Sequence, residues 1–351
     1  MTDGALAALG LASDAEAGPH QALAERGQPW FLWLHYMDPH GLYDPPPEHR
    51  VFHTAGPDPI PPDPGPKPGE LYRHHVAEYN VPASARLADG RIDANAVRDL
   101  YDGEVHYVDA EIGRLIDALR ESGELARTLI VVTADHGESL GEHQYWFEHG
   151  RDAYEAGCRV PLLVVLPENW KDRPLPGRRD GDVSLVDLAP TLLDLVRLSP
   201  LGGPSRADTL AGVSRSHMFL GGDHGDLHPV FVEKVERAER SGIVQHKGVR
   251  IGDWKLLRRY AHAWDERTNG PKQLLVLSEE LYDLAADPNE TKNLIRDPPK
   301  KAPLARLQAE LLRFSASDVR FPDLAAALQK QREDLERTDQ ETLRIIEALG
   351  Y

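Results

Sequence analysis

Between residues 94 and 198 the chain alternates helical stripes with short β-branched runs, and this alternation restricts its fold more than any other feature. Residues 94–122 set Val97, Leu100, Val105, Val108, Ile112, Leu115, Ile116 and Leu119 at helical spacing and end at Gly123, a glycine suited to a helix C-cap. "TLIVVTADHGE" then reads as a strand, "VPLLVVLP" (160–167) as another, and "SLVDLAPTLLDLVRL" (184–198) as a helix interrupted near Pro190. Strand, helix and strand in succession predict crossover connections. The expected class is α/β, a mixed, mostly parallel sheet sandwiched by helices, with a smaller C-terminal antiparallel α+β subdomain.

The flanking segments complete that outline. "PWFLWLHYMDPH" (29–40) predicts a strand buried on both faces and ending in a polar cluster, while residues 44–69 hold too many prolines for helix or central strand and predict a long surface loop. At the N-terminus Thr2 is placed to cap a short helix carrying Ala5, Leu6, Ala8 and Leu9. After residue 222 the texture changes to "HPVFVEKV", "GIVQHKGVRIGDWKLLRR" and "QLLVLSEELYDL", which suit a small antiparallel sheet. The expected divisions are a core over 1–222, an antiparallel subdomain over 223–300 and a helical tail over 301–351, the last marked by Leu304, Leu307, Leu311, Leu324, Leu328, Leu335 and Ile345.

Composition narrows the partners. A formal charge of −17 without a basic block argues against a nucleic-acid surface, and no apolar run approaches the length of a membrane span. The single cysteine, Cys158, precludes an intrachain disulfide and a Cys-rich zinc site, and its expected role is that of a small buried hydrophobe. The N-terminus does not read as a signal peptide, so the chain as written reads as cytoplasmic, with secretion left open should a leader precede it.

Ligands of open α/β sheets gather beyond the carboxyl ends of strands, which directs attention to "HYMDPH" and "ADHGE". Asp135 and His136 offer an anionic oxygen and a ring nitrogen to a divalent cation, against the alternative that Asp135 is a turn or cap acid. Two donors are too few for a catalytic metal. His40 follows Pro39 at a loop entry, and His149 stands in "FEHGRDAYE"; each is either a site residue or an exposed turn histidine. His35, nearer the strand, reads as a histidine that is either packed or placed behind the ligating residues to support them.

With these residues in view, the chain resembles the sulfatase family, within the alkaline-phosphatase-like superfamily of metal-dependent hydrolases. "FLWLHYMDPHGLYDPP", "YDGEVHYVDAEIGRLIDAL", "TLIVVTADHGESLGEH", "HGRDAYEAGCRVPLLVVLP", "VSLVDLAPTLLDL" and "VRIGDWKLLRR…ELYDLAADPNETKNL" occur in the family's order. The resemblance implies a Ca2+ site with Asp135 and His136 among its metal ligands. It also implies that His40 contacts the sulfate group, and that His149, within one position of a family Lys or His, binds the sulfate or assists protonation of the leaving group. The implied activity is sulfuric ester hydrolysis on a sulfated small molecule or glycan. The alternatives are a phosphoester or phosphonate ester hydrolase of the same superfamily and a catalytically dead binding protein.

The resemblance also shows a departure. The family's nucleophile, a Cys or Ser in a Cys-x-Pro-Ser-Arg type motif that becomes formylglycine, does not occur in these 351 residues, nor do the paired aspartates that precede it. In the family those parts lie upstream of the segment beginning near Phe31, so the core over 1–222 is expected to lack its N-terminal part. A truncated, split or degenerate hydrolase fits this, with a complementing N-terminal fragment as a possible partner. The family's C-terminal element closes over the cleft, which leaves Lys255 and Arg258 either near a bound anion or on a solvated face.

Overall fold

The computed structural model describes residues 1–11, 29–62, 75–198, 212–222, 227–238, 242–265, 270–299 and 301–316. The long helix is Ala94–Glu121, capped by the Asp93 carboxylate, which accepts from the Asn95 and Ala96 amides, and closed by Gly123 in the left-handed region. Ahead of it the short helix Thr2–Leu9 buries Ala5, Leu6 and Leu9. Met1 holds the cap position expected of Thr2, and the Thr2 hydroxyl instead hydrogen-bonds the Tyr36 hydroxyl at 2.8 Å.

Two expectations about the core need correction. Ile130–Thr133 and Leu162–Val165 pair antiparallel, Ile130 opposite Val165, not as parallel neighbours. The physical reason is the connection: residues 134–161 contain one four-residue helix, Glu155–Cys158, too short to carry the chain back across a sheet face, so the second strand returns beside the first. Among the described residues the one parallel pairing joins His75–Val76 to Tyr145–Glu148, whose other neighbour, Ser139–Leu140, is antiparallel. Residues 31–37 run extended without joining a described ladder, and their exposure alternates: Phe31 is 79%, Trp33 77% and Met37 61% exposed. One face of that segment is uncovered, where the sequence predicts burial on both. His35 lies on this exposed row, which sets aside the packed reading of it.

Pro190 does not interrupt its helix. It occupies the first turn of Leu188–Leu195, where its missing N–H costs nothing, behind a Ser184/Asp187 capping box.

The C-terminal strands pair antiparallel, and the run "GIVQHKGVRIGDWKLLRR", read as one stretch, divides into two strands. Val230–Ala238, Gly242–Ile251, Trp254–Asp265 and Gly270–Asp283 form an antiparallel meander, with Ile251 opposite Trp254 across the two-residue Gly252–Asp253 turn. Gly252 has φ 58°, the backbone such a hairpin turn requires. On the outer face Val249, Ile251, Leu256 and Leu281 pack with Leu307 and Leu311 of the helix Leu304–Ala316, Trp254 lying partly buried beside them. On the inner face Leu257, Tyr282, Leu284 and Val232 meet Ala153, Tyr154 and Cys158 of the core. Leu324, Leu328, Leu335 and Ile345 lie outside the described residues.

Candidate active site

Two loops converge because each carries a fully buried aromatic anchor close to its histidine. Tyr43, three residues after His40, and Phe147, two before His149, share one apolar cluster with Ile60, Val76, Ile92 and Val97. Asn80 ties the loops further: its side chain donates to the Phe147 carbonyl at 2.8 Å and lies against Gly41, where any Cβ would overlap it. A third loop leaves the strand Ile130–Thr133 through Asp135 and His136, and Gly137 lets it press on the 154–158 turn, donating to the Gly157 carbonyl at 2.9 Å.

The result is a histidine cluster. His136 and His149 stack with ring centroids 3.9 Å apart, and His40 meets His149 edge-on at 5.3 Å. Each Nδ1 has an oxygen beside it: Gly41 O at 2.7 Å for His40, Gly137 O at 2.9 Å for His136, and Glu138 Oε2 at 3.4 Å for His149. With Nδ1–H donating to these oxygens, Nε2 is the nitrogen left to bind a ligand or exchange a proton.

Glu138 escapes the sequence reading although it sits inside "ADHGE". Its side chain is 6% exposed, and burial holds the carboxyl above its ordinary range against the pull of His149 and His136. Burial and this same carboxyl raise the Tyr43 phenol well above its usual value. An acid placed after a glycine has the look of a turn residue, which is why its contact with His149 is not legible.

Glu148, the neighbour that could contest His149's place, turns elsewhere. It bonds His75 at 2.5 Å, Arg151 at 2.8 Å and Tyr79 at 2.9 Å; burial opposes its charge, but these partners push its carboxyl down to about 2.

Asp135 and His136 are adjacent, as expected, with Oδ2 3.7 Å from Nε2, but Asp135 also accepts from the His136 amide and its side chain is 68% exposed. Among the described residues no group of three or more His, Cys, Asp or Glu side chains is placed to hold a metal ion. One carboxylate and one imidazole fall well short of the six to eight oxygens calcium takes, so this pair does not by itself fit a Ca2+ site.

Lys255 and Arg258 meet neither expected fate. Lys255 is 1% exposed and ion-pairs with Glu155 and Glu290, each at 2.9 Å, while Arg258 pairs with Glu279. Cys158 packs against the inner apolar cluster, and burial pushes its thiol up to about 11, which disfavours the thiolate a nucleophile requires.

Two family models match the chain: "Sulfatase" over residues 17–198 and "N-sulphoglucosamine sulphohydrolase, C-terminal" over 141–317. A choline-sulfatase of Rhizobium meliloti is 29% identical over 277 residues, 78% of this chain and 48% of the relative. An N-acetylglucosamine-6-O-sulfatase of Bacteroides thetaiotaomicron is 31% identical over 247 residues, 69% of this chain and 37% of the relative. A solved structure in complex with D-glucosamine-2-N,6-O-disulfate is 28% identical, covering 71% of this chain and 43% of that one, with a TM-score of 0.46. The chain thus spans less than half the length of the curated relatives named.

Proposed function

The chain belongs to the sulfatase family, a family of sulfuric ester hydrolases, and from that premise we propose that it supplies the sulfate-binding side of such a hydrolase's active site. The contact of His40, His136 and His149 rings carries this reading, because it assembles three imidazoles from three separate loops. In it, His40 and His149 hydrogen-bond the oxygens of a sulfate ester. Glu138, beside His149, holds that ring in place, where it can contact the anion and pass a proton to the leaving alcohol.

Asp135 and His136 contribute two donors toward a divalent cation whose remaining ligands come from elsewhere. The nucleophile is likewise supplied by a complementing segment, since Cys158 is buried away from such a role. The sulfated substrates of the relatives favour a sulfated small molecule or sugar as ligand.

Titrating the full chain with an aryl sulfate tests the reading. His40→Ala and His149→Ala should each weaken binding by about tenfold, the scale of one hydrogen bond to a charged group, and no turnover should accompany binding. Unchanged affinity in both variants would remove the histidine cluster from the site. Hydrolysis by the chain alone would reveal a nucleophile within it.

A further inference from the structure

A buried carboxyl group stands behind the loop that carries His40. Glu104, in the middle of the helix Ala94–Glu121, is 3% exposed, and its Oε1 accepts from the Asp44 amide at 2.7 Å. Gly103 lets the loop come this close, since a Cβ there would overlap Pro45 and press on the His49 carbonyl. The second oxygen of Glu104, Oε2, is buried and accepts from no N–H donor among the described residues. With Oε1 taken by the amide, Oε2 is the atom left for the hydrogen bond between Glu104 and the Asp38 carboxyl.

Two carboxyl groups hydrogen-bond only when one of them keeps a proton, because two carboxylates offer acceptors alone. The surroundings supply no relief. Asp44, the other charged group acting on Glu104, is again an acid; Arg50 is paired with Asp44, and His49 on the adjoining turn is engaged with His106 at 2.7 Å. Burial acts in the same direction and pushes the Glu104 carboxyl up to about 7, so Glu104 is the partner that holds the proton.

Position gives this contact its meaning. Asp38 and Asp44 bracket the segment in which His40 sits, and the His40 amide closes a turn onto the Met37 carbonyl at 2.8 Å. Glu104 therefore grips the segment on both sides of that histidine. We propose that Glu104 is a positioning residue for His40: protonated, it latches Asp38 and Asp44 to the long helix and keeps the His40 ring against His149; ionised, it repels Asp38 and releases the segment. This rests on the sulfate-binding reading of His40. Glu104 itself touches no ligand and acts through the loop.

Calorimetric titration of the full chain with an aryl sulfate at about pH 6 and about pH 8, beside the Gly41 and Leu42 amide signals in nitrogen–proton correlation spectra, tests the latch. The contact is present at the lower pH and lost at the higher. Affinity of the unaltered chain should fall by about tenfold between them, the scale of one hydrogen bond to a charged group, and both amide signals should shift. Glu104→Gln keeps a donor for Asp38 and an acceptor for the Asp44 amide. It should match the unaltered chain within about twofold at the lower pH and lose no more than about threefold at the higher. Asp38→Asn should behave likewise, because its amide can donate to an ionised Glu104. Any loss that begins at the histidines persists in both variants, so the difference from the unaltered chain is the quantity read. An equal fall in Glu104→Gln and the unaltered chain, or amide signals that stay fixed in the unaltered chain, overturns the latch. If His40→Ala leaves aryl sulfate binding intact while those signals shift in the unaltered chain and stay fixed in Glu104→Gln, the sulfate-binding reading fails and the latch stands.

Discussion

Gly137 shows how closely the site depends on single atoms. A Cβ at this position would overlap the Ala156 carbonyl oxygen, and backbone cannot swing aside as a flexible side chain can. Gly137→Ala should therefore destabilise the protein by about 1–3 kcal/mol, the cost of overpacking, seen as a lower midpoint in urea unfolding. An unchanged midpoint would mean that the 154–158 turn yields freely. Glu104 supplies a second residue-scale expectation. Its side chain is buried, accepts from the Asp44 amide at 2.7 Å, and is pushed up to about 7 by burial, with the Asp38 carboxyl adding to the effect. A carboxyl with a raised folded-state pKa binds its proton more tightly in the folded chain. Its contribution is thus fully present below the unfolded value, near 4.5, and is lost as pH rises through about 7. Melting temperature should fall across that window, and Glu104→Gln should flatten the fall; an equally steep slope in the variant would assign it to another group. Neither Glu104 nor Glu138 is legible as special in the sequence, because an acid in a long helix reads as solvated and an acid after glycine reads as a turn. His40, His136 and His149 are legible because they end or follow apolar runs.

Among the elements, the C-terminal sheet is held to the core by charge as well as by packing. Lys255 bridges Glu155, on the core helix Glu155–Cys158, and Glu290, in the turn after the last strand, and Arg250 adds a contact to Glu155 at 2.8 Å. Burial opposes the Lys255 ammonium, but Glu155 and Glu290 together hold it above its ordinary value. Lys255→Met would leave two largely buried carboxylates without their main counter-charge, a loss on the order of 3–5 kcal/mol. The triple change Lys255→Met, Glu155→Gln and Glu290→Gln should recover much of that loss. Chemical denaturation checks both, and equal instability of the single and triple variants would show that lost packing, not stranded charge, sets the cost. The sequence announces an antiparallel sheet through its short β-like runs, but not the hairpin at Gly252–Asp253, because "GIVQHKGVRIGDWKLLRR" reads as one run. Pairing direction in the core is less legible: Ile130–Thr133 and Leu162–Val165 carry the apolar run of a buried parallel strand, and the return path that makes them antiparallel lies in the geometry of residues 134–161.

At the scale of the whole molecule, an uncovered apolar face opposes a large net charge. Phe31, Trp33 and Met37 line one side of the extended segment, and Leu163 and Val165 are 53% and 38% exposed on their strand. The sequence predicts both stretches as interior, because hydrophobicity records what a segment is suited to bury and not what lies against it. Exposed apolar rows of this kind favour association, and apolar burial gains about 25 cal/mol for each Å² removed from water. A formal charge of −17 works against it by repelling like molecules, and that repulsion is long-ranged at low salt. The Debye length falls from about 30 Å at about 0.01 M salt to about 10 Å at about 0.1 M, so added salt removes the repulsion while leaving the apolar attraction in place. Sedimentation velocity should accordingly show concentration-dependent self-association that strengthens with salt over this range. Phe31→Ser combined with Trp33→Ser should suppress it, with little change in unfolding midpoint because both side chains are already in water. Association that weakens as salt rises would point to attraction between charged surfaces, and a large loss of stability in the double variant would show that this face is covered in solution.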